Sequence, residues 1–353
     1  MLLRPGFATV SPAAAPVGYS DLTPSQVLDA LDAVGLRGDG RILQLNSYEN
    51  RVFQLFLEDG GAVVTKFYRP GRWSDDQILE EHAFALELDA AEVPVIPPLP
   101  LDPAQAGSAA AVTLRGQPPT LACIGSGASP HRFSVSRRCA GREPELDDPA
   151  TLRQIGRFIG RLHAVGRRRP FLHRHVMNPG RDGRAALQRL LDGDFVTDDQ
   201  RPAWRGTVER ALDAVELAFA EHGKPTTLRL HGDCHLGNVL WRDGGPHVVD
   251  LDDACMGPAV QDLWMLVSGD ADSLADQLAR LLEGYTQFSD FDRRELRLIE
   301  PLRTLRMVRH SAWLADRWSD PAFPPAFPFF GSAAYWSQQT TQMREQIEAM
   351  QGD

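Results

Sequence analysis

Three of the oxygen-bearing side chains in the segment LRLHGDCHLGNVLWRDGGPHVVDLDDA, which begins at Leu228, are candidates for chemistry. Asp233 and Asp250 supply carboxylates, and Asn238 supplies an amide oxygen. Hard oxygen ligands of this kind hold Mg²⁺, and a carboxylate beside them can take a proton from a hydroxyl group. Types and spacing together predict a centre that positions an acceptor hydroxyl and neutralises phosphate charge, as phosphoryl transfer requires.

Each of these side chains has an expected role. Asp233 is expected to orient and deprotonate the acceptor hydroxyl, while Asn238 and Asp250 hold the metal. Asp250 is also counted among the catalytic residues, because a full negative charge binds Mg²⁺ more strongly than an amide and bridges it to nucleotide phosphates. His231 is expected to order the loop.

A hairpin would bring these residues together. Residues 238–241 and 247–251 are strand-like, and residues 243–245 between them favour a turn. Folding the second strand back onto the first would place Asp250 near the loop that holds Asp233. The sequence therefore predicts that one short element assembles the whole centre.

The same segment permits other interpretations. Zinc-ligating residue types occur together at His231, Asp233, Cys234 and His235, but they lack the paired spacing of structural zinc sites. A lone HxD motif is weak, because surface loops use Asp, Asn and Gly for turns. Cys234 is a candidate for redox sensitivity, although a free cysteine more commonly serves packing.

The N-terminal part of the chain predicts a small antiparallel sheet with one substantial helix. Residues 1–22, rich in Pro, Ala and Gly, indicate a poorly ordered leader. Runs rich in Val, Phe and Leu within residues 42–67, and later runs at 111–114 and 133–136, favour strands. We expect five strands, and a helix capped by Ser74.

Helical periodicity dominates after the polar stretch 136–142, where we place the boundary between two lobes. The sequence therefore predicts an N-lobe over 23–138 and a helical C-lobe over 139–353. A helix is expected to begin at Pro149. Further helices are predicted near residues 200–222, 259–267, 272–288, 292–318 and 333–350. The C-terminal part of the chain also contains a group of aromatic residues, which would either line an acceptor cleft or pack between helices. These residues are Trp313, Trp318, Phe323, Phe327, Phe329, Phe330, Tyr335 and Trp336.

Bulk properties exclude several classes of protein. The formal charge of −10 and the pI near 5.5 argue against a nucleic-acid partner. The four cysteines show no CxxC pair, so neither a disulfide framework nor a cysteine zinc site is indicated. No apolar run approaches membrane-spanning length. We expect a cytoplasmic monomer that acts on neither membranes nor nucleic acids.

The segment HGDCHLGN resembles the HxDxxxxN catalytic motif of the aminoglycoside phosphotransferase and choline kinase superfamily, and VDLDDA resembles its metal-binding segment. The segments LNSYENRVFQL, VTKFYRPGRWSDDQILEEHAF and GPAVQDLWML closely resemble one branch, the bacterial stress response kinase A family, described as atypical serine/threonine protein kinases. The resemblance extends from about residue 23 to beyond residue 320. It implies an α+β, two-lobed protein-kinase-like fold.

The resemblance also implies a nucleotide-binding set. Lys66 in VTKFY matches the lysine that contacts the α- and β-phosphates. A glutamate on the next helix should pair with this lysine, and we choose Glu81 over its neighbour Glu80, whose register differs by one residue. Asn46 and Ser47 would lie over the phosphates, in a loop that departs from the GxGxxG of protein kinases.

The activity that the resemblance implies uses ATP and Mg²⁺. Its acceptors would be serine or threonine hydroxyls of a protein in a stress response, with autophosphorylation as one outcome. Asp262 would brace the catalytic loop through hydrogen bonds. One rival is a kinase of an amino alcohol, sugar or aminoglycoside, and another is a nucleotide-binding scaffold without catalysis. The scaffold is disfavoured because the base, both metal ligands and the lysine are present.

Overall fold

The computed structural model describes residues 19, 22–102, 112–125, 130–223, 225–242 and 244–352. Most of the predicted leader, the first residue of the strand expected at 111–114, and Asp243 of the expected turn lie outside them. By its contacts the chain divides into two compact units, Met1–Ser74 with Pro100–Val135, and Asp75–Leu99 with Ser136–Asp353. Residues 75–99 thus group with the second unit. The bounds 23–138 and 139–353 stay a prediction about domains.

The first unit is built on a sheet whose described strands follow the order β1-β2-β3-β6-β5-β4. Its helix α1 (Pro24–Ala33) begins with a capping box between Thr23 and Gln26. The strands are β1 (Gly38–Leu45), β2 (Arg51–Leu57), β3 (Ala62–Phe67), β4 (Val112–Gly116), β5 (Pro119–Ile124) and β6 (His131–Arg137). Phe67 and Phe133 stack at 5.2 Å between ring centroids. Buried aromatic contacts therefore join the middle of the sheet.

The prediction of five strands is wrong, because the described sheet has six. The strand that the sequence did not reveal is β5, which follows Pro118 and begins at Pro119. Prolines are typical of turns and of strand ends, and they conceal the run Thr120–Ile124. Inside the sheet that run is almost wholly buried.

The second unit is mainly helical. Its helices are α2 (Asp75–Ala90), α3 (Pro149–Gly166), α4 (Pro179–Asp192), α5 (Arg201–His222), α6 (Gln261–Trp264), α7 (Ala271–Tyr285), α8 (Ile299–Asp316), α9 (Phe323–Ala326) and α10 (Ala333–Gln351). Its short strands are β7 (Leu228–Leu230), β8 (Val239–Arg242), β9 (Gly245–Val248) and β10 (Cys255–Gly257). None of the described helices has the length and hydropathy that crossing a bilayer would need.

Helix α4 was not expected from the sequence. Asn178 caps it and Pro179 opens it, but Gly180 and Gly183 fall within its first turns. These glycines suggest a turn, whereas Gly183 serves packing: a Cβ there would lie 2.5 Å from Leu212. Close approach of α4 to α5 therefore explains a residue type that usually weakens helices.

Helices α3 and α7 pack backbone to backbone, and α3 also contacts β7, which precedes the loop that holds Asp233. A Cβ at Gly156 would lie 2.0 Å from the Leu281 carbonyl oxygen, and one at Gly284 would lie 2.0 Å from that of Arg153. Only glycine permits this approach. It fixes α3, whose last turn carries the buried His163.

The aromatic C-terminal group mostly forms a second core. Phe323, Phe330 and Trp336 are buried there. The indole of Trp336 donates to the Phe195 carbonyl at 2.8 Å, and its ring contacts that of Trp204 with 5.1 Å between centroids. Helix packing, rather than lining of a cleft, accounts for these buried rings.

Candidate active site

The side chain of Asp262 holds the backbone of the loop after β7, as expected. Its carboxylate accepts the backbone N–H of His231 at 2.7 Å and that of Gly232 at 2.8 Å. Asp262 is completely buried, and its Oδ2 lies 3.0 Å from Nε2 of His163. The other ring nitrogen of His163 lies 2.9 Å from the Tyr285 hydroxyl. A buried chain of hydrogen bonds therefore ties the loop to α3 and α7.

Gly232 brings the loop against the segment that carries Asp250. Its φ is +86°, and a Cβ would lie 2.2 Å from the Asp253 carbonyl oxygen. No other residue fits both the conformation and the space. Next to this contact, β7 and β10 pair as antiparallel strands, with Leu230 opposite Cys255. The loop that holds Asp233 and the segment that holds Asp250 are thus neighbours along their backbones.

His231 connects the same two segments. Its Nε2 lies 2.9 Å from the Val249 carbonyl oxygen, and its Nδ1 accepts the Asp233 N–H at 3.3 Å. These partners make Nε2 the protonated nitrogen. Since both ring nitrogens are engaged, His231 orders the loop, as expected.

Asn238 lies on a 3₁₀ turn, Leu236–Asn238, that leads into β8. Its Nδ2 donates to the Asp233 carbonyl oxygen at 3.0 Å. Its own carbonyl oxygen accepts the Val249 N–H at 3.0 Å. Strands β8 and β9 form the predicted antiparallel hairpin, with Val239 opposite Val248. The hairpin places Asn238 beside the residue that precedes Asp250.

Asp250 has a left-handed backbone, with φ 62° and ψ 62°. This conformation costs a non-glycine residue about 1–2 kcal/mol and often marks functional sites. The segment after it is held by Arg174, whose Nε donates to the Ala254 carbonyl at 2.8 Å and whose Nη2 donates to that of Asp252. The carboxylate of Asp250 is thus presented from a fixed backbone.

The donor set fits Mg²⁺. Because Nδ2 of Asn238 is a hydrogen-bond donor, the remaining atom of its amide is the oxygen, a hard ligand. Mg²⁺ takes one or two protein oxygens together with phosphates and water. Among the residues that the structure describes, no group of three or more His, Cys, Asp and Glu could hold a metal. This observation gives the zinc alternative no support.

Two nitrogen-bearing side chains, those of Arg306 and His235, flank the carboxylate of Asp233. Nη1 of Arg306 on α8 donates to Oδ1, and Nε2 of His235 lies 3.6 Å from Oδ2. Burial raises the pKa of Asp233, but the charge and hydrogen bond of Arg306 and the nearby His235 and His231 lower it by more. The pKa therefore lies below its usual value, and the carboxylate is ionised at neutral pH.

The two glutamates considered for the lysine partner have different surroundings. Glu80 accepts the backbone N–H groups of His173 and Arg174, each at 2.8 Å. Glu81 is 5% exposed and lies 3.7 Å from the ring of His82. Glu80 therefore holds the segment that includes Arg174, and the choice of Glu81 as the partner of Lys66 stays a prediction.

Three of the residues predicted to bind the nucleotide, Asn46, Ser47 and Lys66, lie in the first unit. Lys66 is opposite Val52 in the pairing of β3 with β2. Asn46 and Ser47 follow β1, and Ser47 accepts the Asn50 N–H at 3.3 Å. Lys66 and Glu81 belong to different units, so their ion pair stays a prediction.

Sequence reasoning missed Arg306, His163 and Arg174. Each is far along the chain from its partner: Arg306 is 73 residues from Asp233, and His163 is 99 from Asp262. No local pattern marks the two arginines. His163 alone had a sequence signal, because it is a polar residue on the apolar face of α3.

Comparison with known proteins gives a consistent family. A model described as "Phosphotransferase enzyme family" matches residues 41–299. "Stress response kinase A" of Salmonella choleraesuis (strain SC-B67) is 43% identical over 332 residues, covering 94% of each chain. "Serine/threonine protein kinase RdoA" of Salmonella typhimurium (strain LT2) is 42% identical over 332 residues, again covering 94% of each.

Among solved structures, an amicoumacin kinase has a TM-score of 0.69 at 18% identity, covering 92% of this chain and 93% of its own. That likeness concerns the fold and confirms the predicted two-lobed, protein-kinase-like α+β class. The family model and the sequence relatives settle the family. The chain belongs to the phosphotransferase enzyme family, in its stress response kinase A branch.

Proposed function

We propose that this protein is an ATP-dependent serine/threonine protein kinase of the cytoplasmic stress response. The observation that carries the proposal is a hydrogen bond between two of the candidate residues. The side-chain amide of Asn238 donates to the backbone carbonyl oxygen of Asp233. This hydrogen bond would hold the proposed base and the proposed metal ligand at a fixed separation, as in-line phosphoryl transfer requires. The relative named as a serine/threonine protein kinase, at 42% identity, supports the acceptor class.

In the proposed reaction the acceptor hydroxyl approaches Asp233. The carboxylate takes the hydroxyl proton as the acceptor oxygen bonds to the γ-phosphorus, and the bond to the β,γ-bridging oxygen breaks to release ADP. Bound Mg²⁺ would supply charge neutralisation at the phosphates, held by Asn238 and Asp250. Lys66 would hold the α- and β-phosphates, with Glu81 orienting it and Asn46 and Ser47 covering them.

A second candidate is a small-molecule kinase. The solved structure with a TM-score of 0.69 is named an amicoumacin kinase, after a small molecule rather than a protein. The same constellation of base and metal ligands serves both classes of acceptor. Rapid, saturable phosphorylation of one metabolite, with no label in protein, would favour this candidate.

The test is incubation with γ-labelled ATP and Mg²⁺, with and without a generic protein substrate, followed by phosphoamino-acid analysis. Wild type should label Ser or Thr. Asp233→Ala should lose about 10²–10⁴-fold in turnover, the usual contribution of a positioned base, while ATP affinity is largely kept. Equal labelling by the two proteins would overturn Asp233 as the base.

A matched comparison separates the metal side from the base side. Asp250→Ala should weaken the binding of Mg²⁺-ATP as well as turnover, because it removes a charged metal ligand. Titration with a fluorescent ATP analogue at several Mg²⁺ concentrations measures this difference. Identical nucleotide affinity in Asp233→Ala and Asp250→Ala would contradict the division of roles.

A further inference from the structure

Both carboxylate oxygens of Asp233 lie beside a nitrogen-bearing side chain. Nη1 of Arg306 donates to Oδ1, and Nε2 of His235 lies 3.6 Å from Oδ2. Of these two side chains, Arg306 places a full positive charge at the proposed base, in a chain whose overall charge is negative.

Arg306 does not have the contacts of a structural arginine. Its side chain is 42% exposed, and its further contact is a weak one with the Met265 sulfur at 3.7 Å. Arg174 by contrast is 4% exposed and donates to three backbone carbonyls. A partly exposed ion pair with a single carboxylate contributes little to stability. A role in folding therefore does not explain Arg306.

Asp233 is the fixed member of the pair and Arg306 the movable one. The Asp233 N–H is held by His231, and its carbonyl accepts from the side chain of Asn238 and the backbone of His235. Arg306 reaches across from α8 on a long, flexible side chain. An acceptor hydroxyl that bonds to Oδ1 would therefore displace the guanidinium rather than the carboxylate.

We propose that Arg306 is a specificity-determining residue that selects acceptor hydroxyls flanked by a carboxylate, such as a Ser or Thr beside Asp or Glu. This inference rests on the proposed function. When the acceptor carries its own carboxylate, the displaced guanidinium can form a new ion pair with it. The planar guanidinium donors of arginine match the two oxygens of a carboxylate. A cationic acceptor would instead place its charge next to Arg306 and be repelled.

The test uses full-length protein, Mg²⁺-ATP and two matched pairs of acceptors. The first pair is one Ser-containing peptide with either Glu or Lys around the Ser. The second pair is glycerate and 3-amino-1,2-propanediol, small hydroxyl compounds with opposite charges. The kcat/KM ratio within each pair is measured for wild type, Arg306→Glu and Arg306→Gln. Arg344→Glu, at an exposed site on α10, makes the same change in net charge and serves as control.

Wild type and Arg344→Glu should prefer the Glu peptide by about tenfold or more, since like charges brought together in a binding site are strongly disfavoured. Arg306→Gln should remove this preference and Arg306→Glu should reverse it. The uncharged Arg306→Gln variant tests the inference without Arg306→Glu. The inference therefore stays falsifiable even if Arg306→Glu does not fold. An unchanged ratio in the Arg306 variants would overturn it.

The two pairs separate this inference from the proposed function. If wild type phosphorylates only the small compounds, the protein-kinase proposal fails, and the ratio of glycerate to the amine then decides the role of Arg306. If wild type transfers phosphate to neither pair, the proposed function fails and the inference falls with it. Transfer to both members at equal rates by wild type would refute the inference alone.

Discussion

Two arginines near the candidate catalytic segment show how differently one residue type can be used. Arg174 is buried and holds backbone carbonyls of the segment that follows Asp250. Arg306 is 42% exposed and holds one side-chain oxygen of Asp233. A buried guanidinium must keep its partners, because an unpaired buried charge is costly. An exposed guanidinium can exchange its partners for water or for another anion.

The comparison extends to the two sides of the centre. Beneath the loop, the fully buried Asp262 and His163 fix the backbone. On the α8 side, Arg306 and His235 contact the Asp233 carboxylate and are both 42% exposed. A catalytic group needs a rigid support, while the side that receives a substrate must be able to exchange contacts. Changes beneath the loop should therefore affect stability, and changes on the α8 side should affect acceptor choice.

The largest effect on stability is expected from Asp262→Asn. The amide cannot accept all of the hydrogen bonds from His231, Gly232 and His163, and it leaves buried donors without partners. We expect a loss of about 3–5 kcal/mol in the free energy of unfolding, as for other broken buried pairs. Urea denaturation followed by fluorescence measures it. A loss below about 1 kcal/mol, the range of exposed ion pairs, would show that the network does not support the loop.

Gly232→Ala should rank second, at about 3 kcal/mol, because it combines a positive φ with a Cβ that would lie 2.2 Å from the Asp253 carbonyl oxygen. Gly223→Ala is its matched control. Gly223 has a similar φ of +82° but nothing within 4 Å of the added Cβ, so it should cost only about 1 kcal/mol. Equal costs, measured by the same denaturation assay, would mean that the loop relaxes away from the aspartate segment.

The two arginines can be compared directly by lysine substitution. Arg174→Lys should cost about 2 kcal/mol, because one ammonium group cannot reproduce donors to several carbonyls. Arg306→Lys should change the free energy of unfolding by less than about 1 kcal/mol, since its ion pair is partly exposed. Thermal and urea unfolding of both variants provide the measurement. Similar losses would remove the distinction between a structural and an exchangeable arginine.

The sequence predicted what is local and missed what packing brings together. Asp233, Asn238 and Asp250 share one loop and hairpin, so their spacing alone was informative. Arg306 is on α8, and only tertiary packing takes it to Asp233. Gly183 was misleading because it serves close helix packing, and Pro119 was misleading because it opens a strand rather than a turn. Residue types with two structural uses are therefore where pattern reasoning failed.

The smallest effect is expected at Cys234, the candidate redox residue. Burial, together with the charges of Asp262 and Asp233, raises the pKa of Cys234 well above its usual value, and burial raises that of Cys255 to about 12. A raised pKa keeps each thiol protonated through pH 8, so the reactive thiolate is scarce. Iodoacetamide at pH 8 should therefore label the less buried Cys139 first, as peptide mass spectrometry would show.

Peroxide provides the functional counterpart of this labelling experiment. Because packing rather than reactivity explains Cys234, wild type and Cys234→Ala should lose phosphotransfer activity at the same rate in peroxide. Cys139→Ala is the control for damage at the partly exposed thiol. Protection of activity by Cys234→Ala, but not by Cys139→Ala, would show that the buried thiol beside the base reacts after all, and that the loop opens more readily than its buried hydrogen bonds imply.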